Sequence, residues 1–502
     1  MAEPFYITTA ISYPNGPPHI GHAYEAIAAD AMARFQRSQG RDVRFQTGTD
    51  EHGLKMAQAA RTEGLEPRAF ADKMSRLFQD MCDALNVSYD RFIRTSQPDH
   101  YRASQAIWSA MEESGDLYLD RYEGWYSVRD EAYYEPEELV SAEDGTKLSP
   151  QGTPVERTVE ESWFFRLSKY QQPLLDHYAA NPDFIRPESR RNEVVRFVEG
   201  GLKDLSISRT SFDWGVPVPG SNHHVMYVWL DALTNYITGL GYPDETDLWR
   251  RYWPANVHLI GKDVVRFHAV YWPAFLMSAG IPLPKQVYGH GFLLSRGEKM
   301  SKSVGNVVDP MVLADKFGVD ALRYFLLREV TFGQDGSYSA EAIVARANAE
   351  LANSFGNLAQ RTLSMIHKNL GGVLPSSGKN AEDQELLGLV ERAAIETTEH
   401  FDRFGFSFGI EAWIKAVFAC NAYVDTQAPW ALRKTDPERM AAVLGTLVAA
   451  VRELTRAIAP IIPEAADKLM SLIDAGEGGT PIPHPVPLFP RLELPEEEEE
   501  AA

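Results

Sequence analysis

Two histidines flank a glycine in "YPNGPPHIGHAYEAIAAD", Tyr13 to Asp30. His19 and His22 can each donate to a phosphate or ribose oxygen, and imidazole can carry charge near neutral pH. They follow a Pro/Gly-rich turn and stand where a helix would begin. A helix start presents unpaired amide N–H groups and partial positive charge, so it attracts phosphate. Gly21, lacking a side chain, lets a flat base approach the backbone. A second cluster is "GEKMSKSVGN", Gly297 to Asn306, in which Lys299 and Lys302 stand among serines and glycines. Such a cationic loop can close on a polyphosphate and match charge that builds on a leaving pyrophosphate. Taken singly, the first cluster also fits a structural turn and the second a solvated basic loop.

The elements that must position these residues are legible around them. "PFYITTAIS" favours a strand. From Gly21 to Gln39 the apolar Ala23, Ile27, Ala31 and Phe35 recur every four residues, which predicts an amphipathic helix stopped at Gly40. "DVRFQTGTD" is the next strand. Strand, helix, strand at this spacing is a βαβ unit and implies a parallel sheet, with ligands at the carboxyl ends of its strands. The Tyr13–His22 turn and the "TGTDEHG" turn, Thr47 to Gly53, both fall at such ends and can line one crevice. Residues 116–215 change character, being rich in turn formers, charge and short strand-like pieces, and read as an insertion. After "GEKMSKSVGNVVDP" two helices are expected, with Asp309 as N-cap and Pro310 in the first turn. From about Glu341 to Ile473 the pattern is helical, broken at "GGVLPSSGKN", which suggests a bundle.

The chain has 502 residues, too many for one ordinary domain, and 44% of them are apolar, enough for real cores. It contains no long apolar run that would span a membrane and no secretory leader. The two cysteines, Cys82 and Cys420, exclude a disulfide framework, so a cytoplasmic location is expected. Net charge is −21, so any nucleic-acid contact must rest on local patches and stacking rather than on overall charge. The tail "RLELPEEEEEAA" reads as solvated.

The two clusters in this order, "HIGH" at 19–22 and "KMSKS" at 299–303, resemble the paired signatures of the class I aminoacyl-tRNA synthetases. Over most of its length the chain resembles the methionyl-tRNA synthetases, of the bacterial type without zinc-ligand cysteines. The stretches that carry this are "TGTDEHG", "SISRTSFDWGVPVPG", "YVWLDALTNY", "IGKDVVRFHAVYWPA", "YGHGFLLSRGEKMSKS", "NLAQR" and "QAPW". The resemblance implies an α/β chain: a Rossmann-like parallel-sheet catalytic domain with an inserted connective domain, plus an all-α helical bundle that binds the anticodon. The expected bounds are 1–115 and 216–295 for the two catalytic halves and 116–215 for the insertion. The KMSKS loop and stem-contact region is expected at 296–345, the anticodon domain at 346–485 and the acidic tail at 486–502. The implied activity is that of a methionine–tRNA ligase. Methionine and ATP, with Mg²⁺, would give methionyl-adenylate and pyrophosphate. The methionyl group would then pass to tRNA(Met) for translation initiation and elongation.

By the same resemblance His19, His22, Lys299 and Lys302 are the catalytic residues, and ATP is held by these four with Gly21 and Asp263. The methionine side chain would meet Ile11, Tyr13, Trp229, Ala232, Leu233, Tyr236, Val264 and His268, and Asp50 would anchor its ammonium group. A pocket of this make-up suits methionine, whose polarizable sulfur favours aromatic edges. From spacing alone, Trp229 and Tyr236, seven apart on a helix, and His268 also fit a plain core. Asn357, Arg361 and Trp430 are the implied anticodon readers, although a tryptophan in a helical bundle also fits its core.

An insertion of about 100 residues is too short for the editing domain that related synthetases use against near-isosteres, so none is expected. Many methionyl enzymes carry a zinc knuckle there. Zinc takes clustered Cys or His ligands, but here Ser127 and Asp130 stand where the first cysteine pair would be. There is no Cys between 83 and 419 and no His between 101 and 176. No structural zinc is therefore expected. The chain ends soon after the bundle, which favours a monomer.

Overall fold

The computed structural model describes residues 2–129, 132–134, 136–142, 144–295, 298–299 and 307–494. Asp130, Lys302 and the end of the acidic tail lie outside the described residues. The chain forms two compact units. One comprises residues up to Ala29, Gly40–Asp83 and Val87–His290; the other comprises Asp30–Gln39, Ala84–Asn86 and Gly291 onwards.

The first unit is built on a six-stranded sheet. Across it the order is Arg91–Arg94, Asp42–Thr49, Pro4–Thr9, Val257–Gly261, Val287–His290 and Ile185–Arg186. Every neighbouring pair is parallel. The first strand and the second, joined by the helix Ile20–Ser38, form the expected βαβ unit. The order of strands reverses between Pro4–Thr9 and Val257–Gly261. This is the switch point, where parallel sheets leave a crevice at their carboxyl ends. Beneath it lies a continuous apolar core that includes Tyr6, Trp108, Phe165, Ile260 and Trp272.

The insertion differs from its expected outline in two respects. First, Ile185–Arg186 lies within 116–215 yet pairs with Val287–Tyr288 as an edge of the parallel sheet. A two-residue strand has no alternation to read. Second, its antiparallel sheet is carried by two long strands, Leu117–Ser127 and Glu156–Phe165, rather than by short pieces. Leu205–Ser206 and Ala132–Tyr134 flank them. The long strands carry charged residues that mask their period of two.

In the second unit Asp309 caps the helix Pro310–Phe317, its carboxylate accepting from the Met311 N–H at 2.8 Å, and Val319–Glu329 follows. The bundle comprises Asn357–Asn369, Ala381–Phe401, Phe406–Gln427, Pro437–Ile458 and Pro463–Asp474. Two ion pairs with buried carboxylates, the first buried on both sides, tie this unit together. Arg323 donates to Asp30 at 2.6 Å and to the carbonyls of Pro460 and Ile461. Arg439 grips Asp383 with two bonds, 2.6 and 2.8 Å. Buried charges persist only when paired and hydrogen-bonded in this way, and removing one partner of such a pair costs about 3–5 kcal/mol.

Candidate active site

The turn between the first strand and its helix sets two histidine tautomers. The backbone N–H of Gly21 donates to His19 Nδ1 at 3.1 Å, and that of His19 donates to His22 Nδ1 at 3.1 Å. In the neutral rings both Nδ1 atoms are therefore acceptors and the proton sits on Nε2. The rings lie side by side, centroids 3.8 Å apart. They present two Nε2–H donors at a helix start, which is an anion-binding arrangement.

Gly21 acquires a second reason. A Cβ there would stand 2.9 Å from His19 Cε1 and 3.0 Å from its Nδ1, so the His19 ring fills the space that the glycine leaves. Gly21→Ala is expected to separate stability from activity. Alanine's advantage over glycine, about 1 kcal/mol in a helix interior, is smaller in a first turn and is offset by the shift of the His19 ring, so the thermal midpoint should change little. The displaced His19 ring should cut adenylate formation about tenfold or more, as small misplacements of catalytic groups do. Thermal unfolding and pyrophosphate exchange, measured on one preparation, check the pair of outcomes.

Neighbouring strand ends supply the rest of the crevice. Asp263 stands in the turn Lys262–Val264 after the strand Val257–Gly261. His290 ends the next strand, and its Nε2 lies 2.8 Å from Glu25 Oε2 on the first helix. Burial pushes the Glu25 carboxyl above its ordinary value, the bond and charge of His290 draw it back, and the charge of Asp263 pushes it up again. Glu25 and His290 were not among the expected site residues. Their signals in sequence were faint: a glutamate three residues after His22, on the same helical face, and a histidine between glycines at a strand end. A small cavity beside them is lined by Thr9, Ser12, His22, Glu25, Thr47 and Gly48.

The Asp50 turn adjoins this crevice. Ser12 bridges to Thr49, and the Asp50 N–H donates to the Ser12 carbonyl at 2.9 Å, so the two expected turns do meet. Asp50 is buried. Its neighbour Glu51 points away from the crevice into a bidentate pair with Arg94, 2.6 and 3.1 Å. His52 Nδ1 meets Asp231 at 2.6 Å, and His100 Nε2 meets the other Asp231 oxygen at 2.6 Å. Burial would raise the Asp231 carboxyl, but the charge and bonds of His52 and His100 outweigh it and bring it to about 2. This network fastens the Asp50 turn to the helix Val228–Thr238.

That helix carries Trp229, Ala232, Leu233 and Tyr236 on one face, at spacings of three, four and seven. His268 meets Tyr236: the phenol donates to His268 Nε2 at 2.6 Å, while His268 Nδ1–H donates to the Val264 carbonyl at 2.9 Å. Burial pushes the His268 imidazole down to about 4, against the pull of the Val264 bond, so it is neutral. Burial raises the Tyr236 phenol well above its usual value, and the charges of Glu25 and Asp50 add to the effect. Both carboxylates are thus felt at the pocket. Trp229 stacks on Phe267, centroids 3.7 Å apart, and its Nε1 is buried without a hydrogen-bond partner. Phe267–Tyr271, which includes His268, is a π-helical turn, a form frequent at functional sites. Tyr13 is placed differently. It packs against the cluster of Met56, Phe70 and Met74, and its hydroxyl donates to the His52 carbonyl at 3.0 Å. Ile11 is half-buried beside the Ser12 bridge.

In the second unit Lys299 lies in the short strand Glu298–Lys299, paired with Leu293–Ser295. Asn357 is exposed at the start of its helix, directly after the π-helical segment Ala347–Gly356. The Arg361 guanidinium lies over the Trp430 ring at 5.9 Å and reaches Asp425 at 3.3 Å. Trp430 is 50% exposed, which sets aside the reading of it as bundle core. Ala428, in the left-handed region with φ 43°, makes the sharp turn that presents it.

At the expected knuckle the donors are hydroxyls. Ser127 and Ser149 meet Thr153 Oγ1 at 2.7 and 2.8 Å, and Ser149 Oγ accepts from the N–H of Gln151 and Thr153. All three side chains are buried. Neutral hydroxyls are not the thiolate or imidazole donors that structural zinc takes.

The histidine turn at the switch point of a parallel sheet, with a separate helical bundle, has the build of a class I tRNA synthetase. The family model of the class I tRNA synthetases (M) matches residues 5–363, and that of the anticodon binding domain of methionyl tRNA ligase matches residues 374–483. The chain belongs to the methionyl-tRNA synthetase family. It is 58% identical to a methionine–tRNA ligase of Brucella suis biovar 1 (strain 1330), over 97% of this chain and 98% of that one. It is 56% identical to that of Rhizobium meliloti (strain 1021), over 98% and 99%. A solved structure of Mycobacterium tuberculosis methionyl-tRNA synthetase in complex with methionyl-adenylate superposes with a TM-score of 0.94, at 55% identity, over 97% of this chain and 100% of that one.

Proposed function

We propose that this chain is a methionine–tRNA ligase that activates methionine with ATP and transfers it to tRNA(Met), supporting translation initiation and elongation. The observation that carries the reading is the pair of Nε2–H donors on His19 and His22 at the switch point, with Asp50 on the adjoining strand end. A carboxylate oxygen of methionine attacks the α-phosphorus of ATP, the bond to the β-phosphate bridging oxygen breaks, and pyrophosphate leaves. This step needs alignment and charge stabilisation more than covalent help. His19 and His22 donate to the α-phosphoryl oxygens as charge develops there. Asp263 and Glu25 lie on the ribose side, and the adenine packs on the backbone at Gly21. Lys302 grips the β- and γ-phosphates with Lys299 supporting its loop, and Mg²⁺ arrives with ATP as part of the substrate. In the second step a hydroxyl of the terminal tRNA ribose attacks the methionyl carbonyl, and AMP leaves.

Asp50 anchors the ammonium group. Trp229, Ala232, Leu233, Tyr236, Val264 and neutral His268 surround the thioether, with Ile11 and Tyr13 at the crevice. The enzyme works as a cytoplasmic monomer without zinc at the knuckle, and no helix among the described residues is long and apolar enough to cross a membrane. Pyrophosphate exchange tested with each of the twenty amino acids should respond to methionine alone. Exchange driven equally by another amino acid, or by none, would refute the assignment.

Asn357, Arg361 and Trp430 read the anticodon. Stacking of a base on an aromatic ring is worth roughly 1–3 kcal/mol. Trp430→Ala should therefore raise the apparent KM for tRNA(Met) by roughly 5- to 150-fold and leave pyrophosphate exchange unchanged. Equal damage to both steps would make Trp430 a structural residue.

A further inference from the structure

The insertion's sheet and the segment that follows the insertion bring together three metal-ligating side chains that the methionine and ATP chemistry does not use. Glu161 lies on the long strand Glu156–Phe165, and His223 and His224 lie in the loop that precedes the strand Val225–Met226. Glu161 Oε1 is 3.5 Å from His224 Nε2 and 3.9 Å from His223 Nε2. One ligand atom from each of the three residues lies within 4.8 Å of the other two.

Several features make this more than a chance meeting on the surface. His224 is buried, and its Nδ1 is engaged by Ser208 Oγ at 2.9 Å, which leaves Nε2 as the nitrogen facing Glu161. Ser208 Oγ is itself fixed by the Trp163 N–H at 2.9 Å. A hydrogen-bond partner on the far ring nitrogen fixes the orientation of a metal-bound imidazole, and the Ser208 hydroxyl takes that place here. The loop is also pinned, because Ser221 Oγ accepts from the N–H groups of both His223 and His224. His223 and Glu161 are exposed, so they can close on an ion from solvent.

We infer that Glu161, His223 and His224 form a site for one divalent transition-metal ion of the zinc class. Two imidazoles and a carboxylate suit Zn²⁺, Co²⁺ or Ni²⁺ rather than Mg²⁺ or Ca²⁺. Bonds of about 2.0–2.1 Å in tetrahedral geometry put ligand atoms roughly 3.3 Å apart, so the side chains need only a small closure. Three protein ligands leave the fourth position to water. When Nε2 of His224 binds the ion, its ring proton resides on Nδ1 and is donated to Ser208 Oγ. This site differs from the knuckle in both donors and place. The ion would cross-link the insertion's sheet to the segment that runs, within a few residues, into the helix bearing Trp229.

The test uses the full chain stripped with a chelator and titrated with Co²⁺, followed by displacement with Zn²⁺. One ion per chain is expected by equilibrium dialysis with elemental analysis, with the visible d–d bands of four-coordinate cobalt. His223→Ala and Glu161→Gln, both at exposed positions, should each weaken binding about tenfold or more. Zn²⁺ should raise the thermal midpoint of the parent chain and not that of His223→Ala, since an ion that binds only the folded state stabilises it. Equal binding by the parent and His223→Ala would overturn the site. So would thiolate-to-cobalt charge-transfer absorption, which would place the ion on a cysteine.

Discussion

His22→Asn should fold like the parent and lose roughly 10²- to 10³-fold in the rate of adenylate formation, the effect of removing one preorganised donor from a developing charge. The choice of asparagine follows from the two jobs of the ring. His22 Nδ1 accepts the His19 backbone N–H, and Asn Oδ1, equally far along the side chain, can go on accepting it. Asparagine has no atom where His22 Nε2–H stands. The turn is kept and the donor is lost. Glutamine reverses this: its amide reaches the Nε2 position, so His22→Gln should recover part of the rate. Pre-steady-state adenylate formation at saturating ATP and methionine reads the difference. Equal rates in Asn and Gln variants would show that the nitrogen at Nε2 does not take part.

Asp50→Asn should act on methionine rather than on ATP. Truncating one member of a buried charge pair costs about 2–5 kcal/mol or more. The KM for methionine should therefore rise between roughly 30-fold and several thousandfold, with that for ATP unchanged. The turn itself survives the change, because its backbone bond to Ser12 and the Glu51–Arg94 pair are untouched. A methionine analogue without its α-amino group is the control. Parent and variant should bind it equally, because the interaction removed is with the ammonium. If the variant also loses affinity for the analogue, Asp50 serves the shape of the turn instead.

The parts of this chain that sequence makes legible are those with strong local periodicity. The Gly21–Gln39 helix appears within one residue at each end as Ile20–Ser38, because its four-residue apolar spacing has no competing pattern. Asp309 and Pro310 announce their helix through capping chemistry. What local pattern conceals is set by distant partners. Glu25 reads as one more polar residue on a helix until His290, 265 positions later, is brought against it by the sheet order. His224 needs Ser208 and Glu161 from other strands to become a candidate ligand. Trp430 illustrates the opposite case: composition favours burial, and only the left-handed turn at Ala428 brings it to the surface.

The imidazole behind Tyr236 stays uncharged at any proton concentration a living cell tolerates, since its affinity for a proton has fallen to about 4. A cell whose interior turns sour would therefore keep the proposed thioether chamber free of a new cation at His268 that would repel the incoming amino group. The proposed methionine pocket thus gains no charge at His268 as the medium acidifies, because burial disfavours the charged imidazole.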